Sequence, residues 1–234
     1  GASASKRTSE RVRKAASELG YRPNILARAM VSGKSRMIGL VVAYLDNLFY
    51  PDALEKLSTQ LKEKGYHVLI FMASQTAGNI DEVLHEIMGY QVDGIVLASV
   101  AMSSDLASEC QKAGVPVVLF NRSQDDDRLS SVGSNNVSGG RKIADFLIAG
   151  GHKKIAHIAG WEGASTQRDR ETGFLSGLHS AGIKLFAREV GNFQIEKARE
   201  AARIMFKNND YPDAVFVAND HMAIGVMDVL RVEL

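Results

Sequence analysis

Short apolar segments alternate with helical segments along most of this 234-residue chain, and this alternation limits the folds that it can adopt. Met37–Ala43 and Asp93–Ser99 are continuous apolar runs of strand length, whereas Phe49–Gly65 has the periodicity of a helix. A strand that is apolar on both faces is buried on both faces, which is typical of parallel sheets covered by helices. The sequence therefore predicts an α/β fold with open, doubly wound parallel sheets.

The alternation occurs in two successive series, which predicts two Rossmann-like lobes. We predict a first lobe over 37–152 and a second, incomplete lobe over 153–234, preceded by the short segments 1–20 and 21–36. In such sheets ligands bind beyond the carboxyl ends of the strands, so we expect a site between the lobes. The other predicted helices are Lys6–Leu19, Asn79–Tyr90, Ser103–Ala113, Val137–Ala149, Thr166–Ala181, Ile195–Lys207 and a helix from about His221, and the other predicted strands are His67–Ala73, Pro116–Phe120, Ser130–Gly133, Lys154–Ala159 and Ala214–Ala218.

The distribution of charge is uneven, although the net charge of the chain is only +1. Residues 1–36 hold nine basic side chains against two acidic ones, which leaves the rest of the chain with a net charge of −6. A basic segment on an acidic body is typical of a protein whose basic part meets phosphate, but a solvated tail has the same composition. No apolar run approaches the roughly 20 residues that cross a bilayer, and no signal-peptide pattern is present, so we expect a cytoplasmic, nucleoid-associated protein without a membrane partner.

The sequence lacks the motifs of the enzymes that share Rossmann-like folds. We find no Gly-x-Gly-x-x-Gly after a strand, no phosphate-binding loop and no nucleophile elbow. The six histidines are scattered without the spacing of metal ligands, and Cys110, the single cysteine, is interpreted as a small buried group. The acidic run Asp125–Asp127 is interpreted as a solvated loop. We therefore expect no enzymatic activity, no cofactor and no metal site.

A series of short motifs resembles the LacI/GalR family of bacterial transcription regulators. The motifs are Ser5–Val12, Glu18–Asn24, Ile38–Val42, Asp46–Tyr50, Asp93–Val96, Pro116–Arg122, Asn135-Asn136, Gly151-His152, Arg170–Phe174 and Asn219-Asp220. Each motif is weak alone, but their order and spacing are specific together. The resemblance implies a periplasmic-binding-protein-like pair of lobes preceded by the end of a helix-turn-helix headpiece and by a hinge helix. The first headpiece helices would then precede Gly1.

The resemblance also implies a function, namely sequence-specific binding of operator DNA by a repressor that a small molecule controls allosterically. A homodimer is expected because operator half-sites are related by two-fold symmetry. The hinge helices of this family enter the minor groove, where an apolar side chain wedges between base pairs. Met30 occupies the wedge position, at which leucine is usual. The full set of implied DNA contacts is Thr8, Tyr21, Arg22, Asn24, Arg28 and Met30, against the alternatives of a packing methionine and a solvated basic face.

The effector site that the resemblance implies combines amides, aromatic rings and an arginine. Its residues are Asp46, Asn47, Phe49, Tyr50, Asn135, Arg170, Phe193 and Asn219. Such a set suits a sugar or a sugar acid, and less well a purine, because amides and a guanidinium bind hydroxyls while a ring covers an apolar face. The alternatives are that Phe49 and Phe193 belong to a core and that Arg170 pairs with Asp169 or Glu171. Arg122 and Asp220 are assigned structural roles.

A solute-binding protein of a sugar transporter remains the alternative function, because that class shares the two-lobed fold. Such a protein would carry a signal peptide and would lack the basic hinge, whereas the sequence shows the basic hinge.

Overall fold

The computed structural model describes residues 4–21, 31, 33–43, 45–73 and 77–233, with the side chains of 77–79 left aside. Arg22, Asn24, Arg28 and Met30, to which the sequence analysis assigned DNA contacts, lie outside the described residues. Helix α1, Lys6–Glu18, comes first in the described chain. Ser5 caps it by accepting a hydrogen bond from the Thr8 backbone amide at 3.2 Å, and none of the side chains of α1 is buried.

The first sheet has five parallel strands in the order β2-β1-β3-β4-β5. Its strands are β1 (Met37–Val42), β2 (His67–Met72), β3 (Gly94–Ala98), β4 (Val117–Phe120) and β5 (Ser130–Val132). The helices between them are α2 (Phe49–Glu63), α3 (Ala77–Gly89) and α4 (Ser104–Lys112). The strand order shows the doubly wound topology that the alternation predicts.

The second sheet has three parallel strands in the order β7-β6-β8. Its strands are β6 (Ile155–Ala159), β7 (Arg188–Val190) and β8 (Ala214–Val217), and the helices around it are α5 (Asn136–Ala149), α6 (Ser165–Ser180), α7 (Ile195–Met205) and α8 (Asp220–Val232). Strand β7 is not predicted from the sequence, because its residues, Arg-Glu-Val, lack the continuous apolar run that marks the other strands.

The central strands are buried on both faces, as predicted. Along β1, Met37 and Val41 belong to one apolar cluster and Leu40 and Val42 to another, so alternate side chains pack on opposite sides of the sheet. All five residues of β6 are buried. The edge strand β2 differs, since Ile70 and Met72 are about half exposed. An apolar run therefore marks a strand, but its position in the sheet decides how far it is buried.

Helix α5 packs against α6 with unusually close backbones. A methyl group on Gly140 of α5 would lie 2.0 Å from the Arg170 carbonyl oxygen, and one on Gly173 of α6 would lie 1.9 Å from the Val137 carbonyl oxygen. Ala144 of α5 belongs to the same apolar cluster as Ile155 and Phe174 of the second sheet and its covering helix. Although the sequence analysis placed α5 in the first lobe, we propose a lobe boundary between β5 and α5. Within the described residues, no helix is both long and apolar enough to cross a membrane.

Candidate functional site

A cavity of about 490 Å³ lies where the carboxyl ends of strands from both sheets meet. Parallel strands end at the same edge of their sheet, so residues that immediately follow several strands converge there. Seven of the eight residues assigned to the effector line this cavity, namely Asn47, Phe49, Tyr50, Asn135, Arg170, Phe193 and Asn219. Its size falls within the range of small-molecule sites.

Asp46, the eighth residue of the assigned set, does not line the cavity. Its side chain is largely exposed, and its carboxylate lies 3.9 Å from the His221 imidazole. His221 belongs to the first turn of α8, so this long contact joins the loop after β1 to the second lobe. The tertiary structure thus turns Asn47 towards the cavity and Asp46 towards its rim.

Several residues beside the cavity have left-handed backbones. Asn121 follows β4 with φ 58°, and Asn192 and Phe193 follow β7 with φ 52° and 60°. Such conformations are costly for residues other than glycine and tend to occur at functional sites, where the surrounding structure holds them. The Asn121 amide donates a hydrogen bond of 2.9 Å to the Tyr50 hydroxyl, which joins the ends of two first-lobe segments.

Aromatic rings cover two sides of the cavity. Phe49 is 50 % exposed and stacks on Phe120, with ring centroids 5.9 Å apart and ring planes within 4° of parallel. This exposure argues against a core position for Phe49. Phe193 is buried and packs so closely on Gly160 that a methyl group there would lie 2.1 Å from the ring. Phe193 is therefore both a packed residue of the second lobe and a wall of the cavity.

Arg170 lies in the second turn of α6 and lines the cavity floor. Its Nε donates to the Asn136 side-chain oxygen at 2.9 Å, and its Nη1 donates to the Ala218 carbonyl at 2.5 Å. The neighbouring carboxylates of Asp169 and Glu171 form ion pairs with Arg168 and Arg188 respectively. The guanidinium fork is thus held in one orientation by α5 and by the end of β8.

Helices α5, α6 and α8 begin at the cavity, as α2 does with Phe49 and Tyr50, which places the positive ends of these helix dipoles there. Asn135 caps α5 by accepting from the Ser138 amide at 2.9 Å, and Asn219 caps α8 by accepting from the Met222 amide at 2.8 Å. Thr166, in the first turn of α6, lines the same space. The side-chain oxygens of both asparagines are used by the caps, which leaves their amide nitrogens as the groups to be offered to a ligand.

Arg122, which was assigned a structural role from the sequence, lies two residues after the end of β4 and lines the cavity. Its side chain is 5 % exposed, and its Nη1 donates to the Thr166 hydroxyl at 2.8 Å and to the Asn121 carbonyl at 3.0 Å. Its Nε and Nη2 are buried and make no hydrogen bond within the described residues. Its position after the carboxyl end of a strand is the feature of the sequence that could have predicted a place beside the cavity. Asp220, also assigned a structural role, lines the cavity as an exposed residue at the start of α8.

A buried polar network supports the second-lobe side of the site. Gln167 is 1 % exposed; its Oε1 accepts from the Gly160 amide at 2.6 Å, and its Nε2 lies 3.2 Å from His157 Nε2 and 3.0 Å from Glu171. His157 Nδ1 lies 2.9 Å from the Phe216 carbonyl, so we assign the neutral tautomer protonated on Nδ1. Arg188 binds Glu171 with two hydrogen bonds of 2.6 and 3.0 Å. The network therefore reaches from the surface to Gly160, on which Phe193 packs.

We expect this network to make the stability of the protein sensitive to mild acid. Burial lowers the pKa of His157 below its ordinary value of 6.5, and the charge of Arg188 lowers it further. The unfolded chain then binds the proton more readily, so the contribution of neutral His157 is complete above pH 6.5 and is lost as the pH falls below it. We expect the free energy of unfolding to decrease more between ~pH 7.5 and ~pH 5.5 for the natural protein than for His157→Gln. Urea titrations at both pH values measure the free energy of unfolding of each protein. An equal decrease for the natural protein and for His157→Gln would contradict the assignment of a neutral, buried His157.

The described residues also bear on the predictions for metals, for Cys110 and for the DNA contacts at α1. Among the described residues, no group of three or more histidine, cysteine, aspartate or glutamate side chains is arranged to hold a metal ion. Cys110 is buried, and burial raises the pKa of its thiol. Thr8 and Tyr21 are exposed, at the start and just after the end of α1, and the Thr8 hydroxyl also bonds to Ser5 at 2.9 Å.

Comparison with known proteins agrees with this architecture. Residues 35–233 match the family model of periplasmic binding proteins and the sugar-binding domain of the LacI family. The HTH-type transcriptional regulator CelR of Thermobifida fusca is 31 % identical over 234 aligned residues, covering 96 % of this chain and 68 % of that protein. A solved complex of transcriptional regulator CelR with cellobiose is 28 % identical, with a TM-score of 0.74, covering 98 % of this chain and 70 % of that one.

The lac repressor dimer bound to operator and the anti-inducer ONPF shares the fold. It is 24 % identical and has a TM-score of 0.86, covering all of this chain and 72 % of that one. The family model extends over both sheets and the cavity between them, and the regulator relative matches almost the whole chain. The chain belongs to the LacI family of transcriptional regulators.

Proposed function

We propose that this protein is a repressor that binds an operator sequence and whose affinity for DNA is controlled by a small molecule bound in the cavity between the lobes. The cavity carries this proposal, because it is lined from both lobes by the groups that a polyhydroxylated ligand requires. Arg170 and the asparagines supply hydrogen bonds, while Phe49 and Phe193 supply ring faces. A sugar or sugar derivative fits this set best, in keeping with the cellobiose complex of the similar CelR regulator.

The contacts between the lobes explain how a ligand there would act at a distance. Arg122 binds Thr166, and the Ser123 amide donates to the Ser165 hydroxyl at 2.9 Å, so the end of β4 is joined to the start of α6. A ligand that contacts both sides favours one arrangement of the lobes over another. Affinities for effector and DNA are then coupled reciprocally.

DNA binding is assigned to the segment that precedes the first lobe. Thr8 and Tyr21 are exposed on α1 and after it, and Arg22, Asn24, Arg28 and Met30 complete the set that the family resemblance implies. A homodimer follows from the two-fold symmetry of operators, which pairs two hinge helices at the centre of the site.

A solute-binding protein of a transporter is the second candidate, because the matched family model also covers that class. The regulator names of the relatives and the basic charge of residues 1–36 favour the repressor.

The test uses a version of the protein with a complete headpiece and an operator selected from random duplexes. Fluorescence anisotropy is expected to show an affinity that falls roughly 1000-fold between about 50 and about 200 mM salt, because a dimer neutralises several phosphates. Addition of the sugar that raises the melting temperature most in a thermal-shift panel is expected to change the operator affinity. A flat salt dependence, or a bound sugar that leaves DNA affinity unchanged, would contradict the proposal and favour the transporter class.

A further inference from the structure

Arg122, on the first-lobe side of the cavity, carries a positive charge that is buried. Arg122 is 5 % exposed, and two of its nitrogens are buried without a hydrogen-bond partner among the described residues. Its contacts are to neutral groups, namely the Thr166 hydroxyl, the Asn121 carbonyl and the ring of Phe193, whose centroid lies 5.9 Å from the guanidinium carbon. A buried cation that is paired with no anion is costly, and such groups persist in native proteins where function requires them.

The acidic groups near the cavity do not balance this charge. Asp220 is the acid among the described lining residues, and it is exposed. Asp46 is on the rim beside His221. Both carboxylates are therefore hydrated, whereas the Arg122 nitrogens are not.

The helices strengthen the positive potential at the same place. α5, α6 and α8 each exceed two turns and begin at the cavity with Asn136, Thr166 and Asp220 among its lining residues. The unpaired amides and dipole of a helix N-terminus favour an anion. The buried guanidinium of Arg122 is an independent observation that points to the same ligand charge.

We propose that the effector is a hydroxylated anion of about monosaccharide size, whose carboxylate or phosphate is bound by the guanidinium of Arg122, a lining residue of the cavity. A planar guanidinium presents two N–H groups in the geometry that carboxylate and phosphate accept. The hydroxyls of the ligand then face Arg170, Asn135 and Asn219, and its ring faces Phe49 or Phe193. The inference rests on the proposed effector function and specifies the ligand class.

The test compares related sugars with and without an anionic group. Isothermal titration calorimetry measures glucose, glucuronate and glucose 6-phosphate, then galactose, galacturonate and galactose 1-phosphate, and then fructose and fructose 1-phosphate. Acetate, inorganic phosphate and adenine are titrated in the same way for comparison. For the sugar that binds best, we expect an anionic member to bind at least 10-fold more tightly than the neutral one. Comparison of the uronates with the sugar phosphates then identifies which anionic group the protein binds.

Arg122→Gln is expected to lower the affinity for the anionic ligand at least 10-fold and to bring it close to that of the neutral sugar. Arg203→Gln removes one charge from an exposed pair with Glu233 and serves as the charge-matched control, for which the preference for the anion is expected to persist. If Arg122→Gln does not fold, the comparison of anionic and neutral sugars on the natural protein still tests the proposal.

The outcomes separate this inference from the function on which it rests. A neutral sugar or adenine that binds as tightly as any anion would overturn the inference and leave an effector site intact. Inorganic phosphate or acetate that binds as tightly as the sugar anion would also overturn it, since the hydroxyls would then contribute nothing. Failure of every compound to bind would count against both the inference and the effector function.

Discussion

Gly140→Ala is expected to lower the free energy of unfolding by about 3 kcal/mol, because the added methyl group would meet the backbone of the neighbouring helix. The methyl carbon would lie 2.0 Å from the Arg170 carbonyl oxygen and 2.9 Å from the Phe174 amide nitrogen. Backbone atoms in a helix cannot turn aside as a side chain does, so α5 and α6 must separate. Because the contact involves Arg170 itself, effector affinity is expected to fall as well. Urea denaturation and the thermal-shift assay measure the two effects.

Gly139→Ala is the matched control, since Gly139 is the preceding residue of the same helix and a methyl group there meets nothing within 4 Å. Alanine is favoured over glycine within helices by up to about 1 kcal/mol, so this variant is expected to be as stable as the natural protein or slightly more stable. Similar unfolding curves for the two variants would show that the close approach of α5 and α6 is not a feature of the folded protein.

Arg170→Ala is expected to weaken effector binding roughly 100-fold, because charge-assisted hydrogen bonds from a preorganised guanidinium are lost inside a shielded cavity. The substitution also removes the bonds to Asn136 and Ala218, which hold the start of α5 and the end of β8 beside α6. A loss of stability of about 1 to 2 kcal/mol is therefore expected in addition. Calorimetric titration with the best-binding sugar of the panel separates affinity from stability.

Arg168→Ala provides the comparison for this substitution on the same helix. Arg168 is 65 % exposed and pairs with Asp169 at 2.9 Å, away from the cavity lining. Exposed pairs of this kind contribute about 0 to 1 kcal/mol, and we expect effector affinity to be unchanged. If both variants bind the sugar as the natural protein does, then Arg170 is a structural residue and the site assignment is wrong.

The alternation of apolar runs and amphipathic helices was sufficient to predict the class of fold and nearly every element. Strands such as β1 and β6 are recognisable because burial on both faces requires continuous apolar sequence. Strand β7 could not be predicted in this way, because its residues are charged or only partly buried and its pairing with β6 depends on the tertiary structure. The packing of α5 on α6 could not be predicted either, because chain order places α5 directly after β5.

For the site, the positions after strand ends could be predicted, because parallel strands bring their carboxyl ends to one edge and the family resemblance supplied the residue types. Asn47, Phe193 and Asn219 line the cavity in this way, whereas Arg170 lines it from the second turn of α6. Residue type could not show that two buried nitrogens of Arg122 make no hydrogen bond to the residues that the structure describes, nor that Gln167 joins His157 to Gly160. Local sequence determines which segments are strands and helices, since burial periodicity is a local property. The state of a polar group depends on atoms brought near it from distant parts of the chain, and only the tertiary structure decides which atoms those are.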